Sequence, residues 1–166
     1  MAKGYLLDTS VLSLLAPGRA ALLATPLSDW LQAHHQALFL PAIAIAEIAQ
    51  GIGKLRRAGG VERADRLDRW LDGLLASYTE RILPLDAQAA RLAGQMSDAA
   101  IAQGRHPGFA DVAIAALAQH AGLLLLTCNS GRRSLYAADL LRSLGYPKAL
   151  SVAGGFQAWK KLQTPG

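Results

Sequence analysis

The sequence predicts an α/β fold, a single domain in which a parallel sheet of about five strands is flanked by helices. Three observations lead there. Short apolar runs that fit buried strands recur along the chain, at Tyr5-Leu6-Leu7, Ala37–Leu40, Ile82–Leu85, Leu123–Thr127 and Ala149–Val152. Longer stretches with apolar residues at helical spacing separate most of them. The chain also has 166 residues, 52% of them apolar, enough for one compact domain with a sizeable core.

Each element follows from local signals. Tyr5-Leu6-Leu7 ends in the polar turn Asp8-Thr9-Ser10, and Val11, Leu12, Leu14 and Leu15 then begin a helix. The second strand is closed by Pro41, and residues 42 to 55 carry Ile45, Ile48, Ile52 and Leu55 on one helical face. Gly59-Gly60 breaks that helix. Val61 to about Tyr78 is a charged amphipathic helix with Leu67, Trp70, Leu71, Leu74 and Leu75 on its apolar side. Its charges, among them Glu62, Arg63, Asp65, Arg66, Asp68 and Arg69, read as a solvated face with i,i+4 pairs. The third strand precedes a helix from Asp86 to about Gln103, and the loop 104–108 leads into an alanine-rich helix over 109–121. After the fourth strand comes a further helix, then the fifth strand and a last short helix at Phe156–Leu162.

Composition excludes some classes of function. The apolar stretches are interrupted by Pro41, Glu47 and Gly122, short of the ~20 apolar residues that a membrane span needs, so a soluble protein without a membrane partner is expected. The amino terminus MAKG, followed closely by Asp8, does not read as a secretory signal. A single cysteine forms no internal disulfide and suits the reducing cytoplasm. The net charge of +5 tolerates an acidic partner such as nucleic acid without demanding one.

Three carboxylates stand out. Asp8 follows the first strand and Asp111 opens an apolar helix; each, alone, fits a helix cap or an Asx-turn. Glu47 is harder to explain so, because it interrupts the run Ala42-Ile43-Ala44-Ile45-Ala46 on a helix packed on most sides. An ionised carboxylate there calls for a cation, either Lys54 or an arginine, or a divalent metal held by oxygen ligands.

Together, LLDTSVLSLL, LPAIAIAEIAQGI, WLDGLLASYTERILPLDAQAARLAGQM and GFADVAIAALAQHAGLLLLT resemble a PIN domain, close to the VapC-type toxins of toxin–antitoxin pairs. The similarity spans about Gly4 to Asn129. It implies a PIN-like sheet and a cytoplasmic, metal-dependent endoribonuclease in which Asp8, Glu47 and Asp111 are the catalytic and metal-binding acids. It further implies Mg2+ or Mn2+ as cofactor, Ser10 and Asn129 as supporting residues, RNA as substrate, and an antitoxin protein and a homodimer as partnerships.

The chain departs from the family's pattern after Asn129, where Arg132 occupies the place of a fourth acid. An inward-pointing guanidinium there would compete with a metal for the remaining acids. From Cys128 the sequence also resembles the second half of a rhodanese domain: CNSGRRS matches an anion-cradling active loop through Cys128, Gly131 and Arg133, and residues 128–162 read as a tail completing the sheet. That resemblance implies, as an alternative, a sulfurtransferase or anion-binding protein built on the Cys128 loop. A third possibility is an inactive toxin remnant that only binds antitoxin.

Overall fold

The computed structural model of the chain describes residues 4–19, 25–127 and 149–151. Five strands form one parallel sheet: β1 (Tyr5–Leu7), β2 (Leu38–Pro41), β3 (Ile82–Leu83), β4 (Leu124–Thr127) and β5 (Ala149–Ser151). Their spatial order is β3-β2-β1-β4-β5, with β1 in the centre. Tyr5 and Leu6 pair with Leu38 and Phe39 on one side, and Tyr5, Leu6 and Leu7 pair with Leu124, Leu125 and Leu126 on the other. A strand in that position meets protein on both faces, which is why β1 and β4 are continuous apolar runs rather than alternating ones.

The helices are α1 (Thr9–Leu14), α2 (Thr25–Ala33), α3 (Ala42–Arg57), α4 (Val61–Ser77), α5 (Ala87–Ala102) and α6 (Phe109–Ala121). The main core joins Leu6, Leu7, Leu38, Leu40, Leu125 and Leu126 of the sheet to Val11 and Leu12 of α1 and to the buried middle of α6. Residues Val112 to Ala118 of α6 are all buried, so its alanines let α5 and α3 approach closely. A smaller cluster of Ile52, Ala64 and Leu71 holds α3 against α4. No helix among the described residues is long and apolar enough to cross a membrane.

The expected α/β architecture is present, with differences that have local causes. Pro41 does not merely close β2 but is its last residue, pairing with Leu83 and capping α3. β3 stops at Leu83 because Pro84 brings no N–H to continue a ladder, and as an edge strand it stays short. Helix α2 was not expected from the sequence, although Leu27, Trp30 and Leu31 sit at helical spacing. It is anchored by Trp30, whose ring meets Tyr5 edge-on at 4.7 Å and stacks on His34 at 4.3 Å. The charges of α4 also pair differently: Arg56 of α3 binds both Asp65 at 2.8 Å and Asp68 at 2.6 Å, an exposed link between helices instead of i,i+4 pairs within one. The helices expected after β4 and at Phe156–Leu162, like Cys128, Asn129, Gly131, Arg132 and Arg133, lie outside the described residues.

Candidate functional site

Strand order locates the site before any side chain is considered. The chain lays β2 and β3 to one side of β1 and then crosses to lay β4 and β5 on the other. In open parallel sheets the crevice forms beyond the carboxyl ends of the strands where the order reverses, because the flanking connections diverge there. Here that place lies between β1 and β4, just past Leu7 and Thr127.

Asp8 occupies it. Its N–H donates to the Leu126 carbonyl at 2.9 Å, which extends the β1–β4 ladder by one bond, and the backbone then turns into α1. The side chain caps that helix: Oδ1 accepts from the Thr9 N–H at 2.8 Å and Oδ2 from the Ser10 hydroxyl at 2.6 Å. The cap reading of Asp8 is therefore correct as far as it goes. It does not account for the burial, since Asp8 is only 8% exposed and faces a second carboxylate rather than a cation. Burial drives the Asp8 pKa upward, the hydrogen bonds from Ser10 and Thr9 pull it back, and the nearby charge of Glu47 raises it further.

Glu47 reaches the same place from α3. Its Oε2 accepts a hydrogen bond from the Thr9 hydroxyl at 2.5 Å, across 38 residues of sequence. The expectation that Glu47 is enclosed on most sides does not hold, and of the cations weighed for it neither Lys54 nor an arginine is paired with it among the described residues. It is half-buried, and none of the ion pairs there involves it. The reason is that this face of α3 borders a cavity of about 310 Å3, lined also by Thr9, Arg19, Arg63 and Trp70, which leaves the carboxylate in contact with water.

Asp111 lies in the first turn of α6. That helix ends at Gly122, in the left-handed region at φ 69°, immediately before β4 begins. Since α6 packs against β4 and hands the chain over at the strand's start, its amino end points toward the carboxyl edge of the sheet, where Asp8 lies. The Asp111 carboxylate folds back over that end, so a Cβ added at Gly108 would meet its Oδ2 at 3.4 Å. Among the described residues no three His, Cys, Asp or Glu side chains stand together in a group that could hold a metal. The structure thus joins Asp8 and Glu47, with Ser10 on Asp8, and leaves Asp111 outside a closed triad.

Two further residues belong to this place. Thr9 contacts both acids, its N–H on Asp8 and its hydroxyl on Glu47. Thr127, at the end of β4, is 1% exposed and its Oγ1 has no hydrogen-bond partner among the described residues. In the sequence Thr127 ends an apolar run and, with Asn129, matches the Thr-x-Asn turn of the family that the chain resembles, whereas nothing near Thr9 announces a partner on α3.

The donor set suits a hard cation. Two carboxylates brought side by side, with hydroxyl oxygens around them and no Lys, Arg or His paired to either among the described residues, form an oxygen-rich and negatively charged spot. Mg2+ and Mn2+ favour such ligands and complete their shells with water.

Comparison with known proteins gives a consistent picture. The PIN domain family model matches residues 5–137. The chain is 30% identical to a chain in the crystal structure of FitAcB from Neisseria gonorrhoeae, over 81% of this chain and 93% of that one, with a TM-score of 0.64. It superposes with a TM-score of 0.66 on a chain of DNA-bound VapBC from Salmonella typhimurium, at 19% identity over 90% of this chain and 97% of that one. VapBC2 from Rickettsia felis, bound to a fragment of promoter DNA, gives a TM-score of 0.60 at 17% identity, over 90% and 97% of the two chains. No curated protein matches the sequence. The family match runs through Cys128, Gly131 and Arg133, so the loop that resembles a rhodanese lies within the matched domain, and the comparisons lend a rhodanese tail no support.

Proposed function

The chain belongs to the PIN domain family, and from that premise we propose that it is a metal-dependent endoribonuclease, the toxin of a toxin–antitoxin pair. The observation that carries the reading is the buried Asp8 at the sheet's switch point with the Glu47 carboxylate brought beside it. A protein gains nothing in stability from two neighbouring acids that lack a cation, so the arrangement fits one that recruits a cation for its work.

In this reading Asp8, Glu47 and Asp111 hold Mg2+ or Mn2+. The chemistry such an ion would supply when bound is activation of water and neutralisation of charge on the phosphate. The chain's own residues prepare the place. Ser10 fixes one Asp8 oxygen and the Thr9 N–H the other, so the carboxylate arrives oriented. Asn129, two positions past the end of β4 in sequence, is assigned a supporting role. The partners of the reading are RNA, an antitoxin protein and a second copy of the chain.

The test is cleavage of a mixed RNA pool with Mg2+ or Mn2+, set against EDTA and against Asp8→Asn, Glu47→Gln and Asp111→Asn. Metal-dependent cutting that each substitution lowers by at least a hundredfold is expected. Equal cutting in EDTA refutes the reading, and a variant that cuts like the parent removes its residue from the site.

A further inference from the structure

Among the described residues, Thr9 is the one that hydrogen-bonds to both acids. Its backbone N–H donates to Asp8 Oδ1 at 2.8 Å, and its hydroxyl donates to Glu47 Oε2 at 2.5 Å. The first bond is local, fixed by the turn from β1 into α1. The second ties the start of α1 to the second turn of α3 and is the only side-chain hydrogen bond between those helices among the described residues.

A glutamate that borders a water-accessible cavity has three side-chain torsions to settle, and among the described residues Glu47 has no ion pair to settle them. Left alone, its carboxylate would turn toward solvent and away from the like charge of Asp8, because that lowers both repulsion and dehydration. The Thr9 hydroxyl opposes this. A hydrogen bond to a carboxylate is stronger than one between neutral groups, and threonine is stiff at χ1, so the donor itself is held in direction. The N–H that Thr9 places on Asp8 is rigid for the same reason that the helix start is rigid.

We propose that Thr9 is a positioning residue: by donating its N–H to Asp8 and its O–H to Glu47, it keeps the two carboxylates together as a preformed pair for a divalent cation. The inference rests on the metal-site reading of Asp8 and Glu47 and assigns within it a residue whose side chain need not touch the metal. Groups that orient metal ligands in this way are worth about 10–100-fold in metal affinity.

The alternative is that Thr9 only docks α1 on α3 through its methyl group. The two roles predict opposite orders for two variants. Thr9→Val keeps the branched shape and loses the hydroxyl; Thr9→Ser keeps the hydroxyl and loses the methyl. Mn2+ binding by calorimetry on the full chain, alongside circular-dichroism melts in EDTA, reads both. Positioning predicts that Thr9→Val binds Mn2+ about tenfold or more weakly while Thr9→Ser stays within about threefold of the parent. Thr9→Ala, a second variant without the hydroxyl, should repeat the loss, so the result does not hang on the folding of one protein. In a Glu47→Gln background, where the partner is altered, Thr9→Val should change Mn2+ affinity little further. Parent-like affinity in Thr9→Val with a loss in Thr9→Ser overturns the inference and leaves the metal site standing. A parent that binds no Mn2+ overturns the site and the inference with it.

Discussion

Replacing Asp8 by asparagine should make the metal-free protein more stable at neutral pH, although Asp8 caps a helix. The carboxylate accepts two hydrogen bonds, from Thr9 N–H and Ser10 O–H. Asparagine keeps the first through its carbonyl oxygen and can donate to the Ser10 oxygen, so the change is from charged to neutral bonds, a loss of about 0.5–2 kcal/mol for each. Against this stands the dehydration of a buried ion, several kcal/mol, together with repulsion from Glu47. The raised pKa of Asp8 says that the second side outweighs the first. A net gain is therefore expected, seen as a higher Tm, where each kcal/mol corresponds to about 2–4 °C for a domain of this size.

The sign can be followed with pH. Below the ordinary aspartate value of 3.8 both folded and unfolded parent carry a protonated Asp8, and the residue imposes no penalty. As pH rises past that value the unfolded chain ionises first, and the parent loses stability until the raised folded pKa is passed. The advantage of Asp8→Asn should therefore open as pH rises past 3.8 and stay level once the raised folded value is passed. Metal should reverse it: at a concentration of 100 times Kd a ligand adds about 2.7 kcal/mol, or about 5–10 °C here, to the parent alone. Melts in EDTA across that range, repeated with Mn2+, check the whole chain of reasoning. An Asp8→Asn protein less stable than the parent in EDTA at neutral pH, or a difference that does not vary with pH, refutes it.

Two other substitutions probe the neighbourhood. Gly4→Ala would bring a Cβ to 2.6 Å from the Ala37 carbonyl oxygen and 2.8 Å from the Phe39 ring, where β1 lies tight against β2, so urea unfolding should show a loss of about 1–3 kcal/mol. Parent-like stability would mean that the two strands separate more easily than the packing indicates. Thr127→Val exchanges a buried hydroxyl without a partner among the described residues for a methyl of the same shape and should stabilise the metal-free protein by about 1 kcal/mol in the same assay; destabilisation would mean that the hydroxyl has a partner in solution.

The sheet was legible in the sequence because its strands are buried on both faces. Such strands write themselves as unbroken apolar runs, and Tyr5–Leu7 and Leu124–Thr127 could hardly be anything else. The short edge strand was over-read by two residues, since Leu85 is as apolar as Leu83 and only the geometry of Pro84 ends the ladder. Helix α2 was missed because its apolar positions are few and its best anchor is aromatic contact with Tyr5, a residue from the other end of the first crossover. Local patterns report which face is buried, not what it is buried against.

The site divides along the same line. Asp8 could be found because a strand end, an acid and a helix start coincide in three consecutive residues. Glu47 could be found because an acid in an apolar helix is conspicuous, but its environment was misjudged: periodicity showed the helix and could not show the cavity on one side of it. Thr9 was invisible for a stronger reason. Its importance lies in a bond to a residue 38 positions away, and such a bond exists only once α3 has been laid across α1 by the packing of Val11, Leu12 and Ala44 into one core. The apolar residues thus decide where the polar ones meet. A substitution in that core, far from either carboxylate, would act on the acid pair by moving α1 against α3, and no reading of the acids alone would anticipate it.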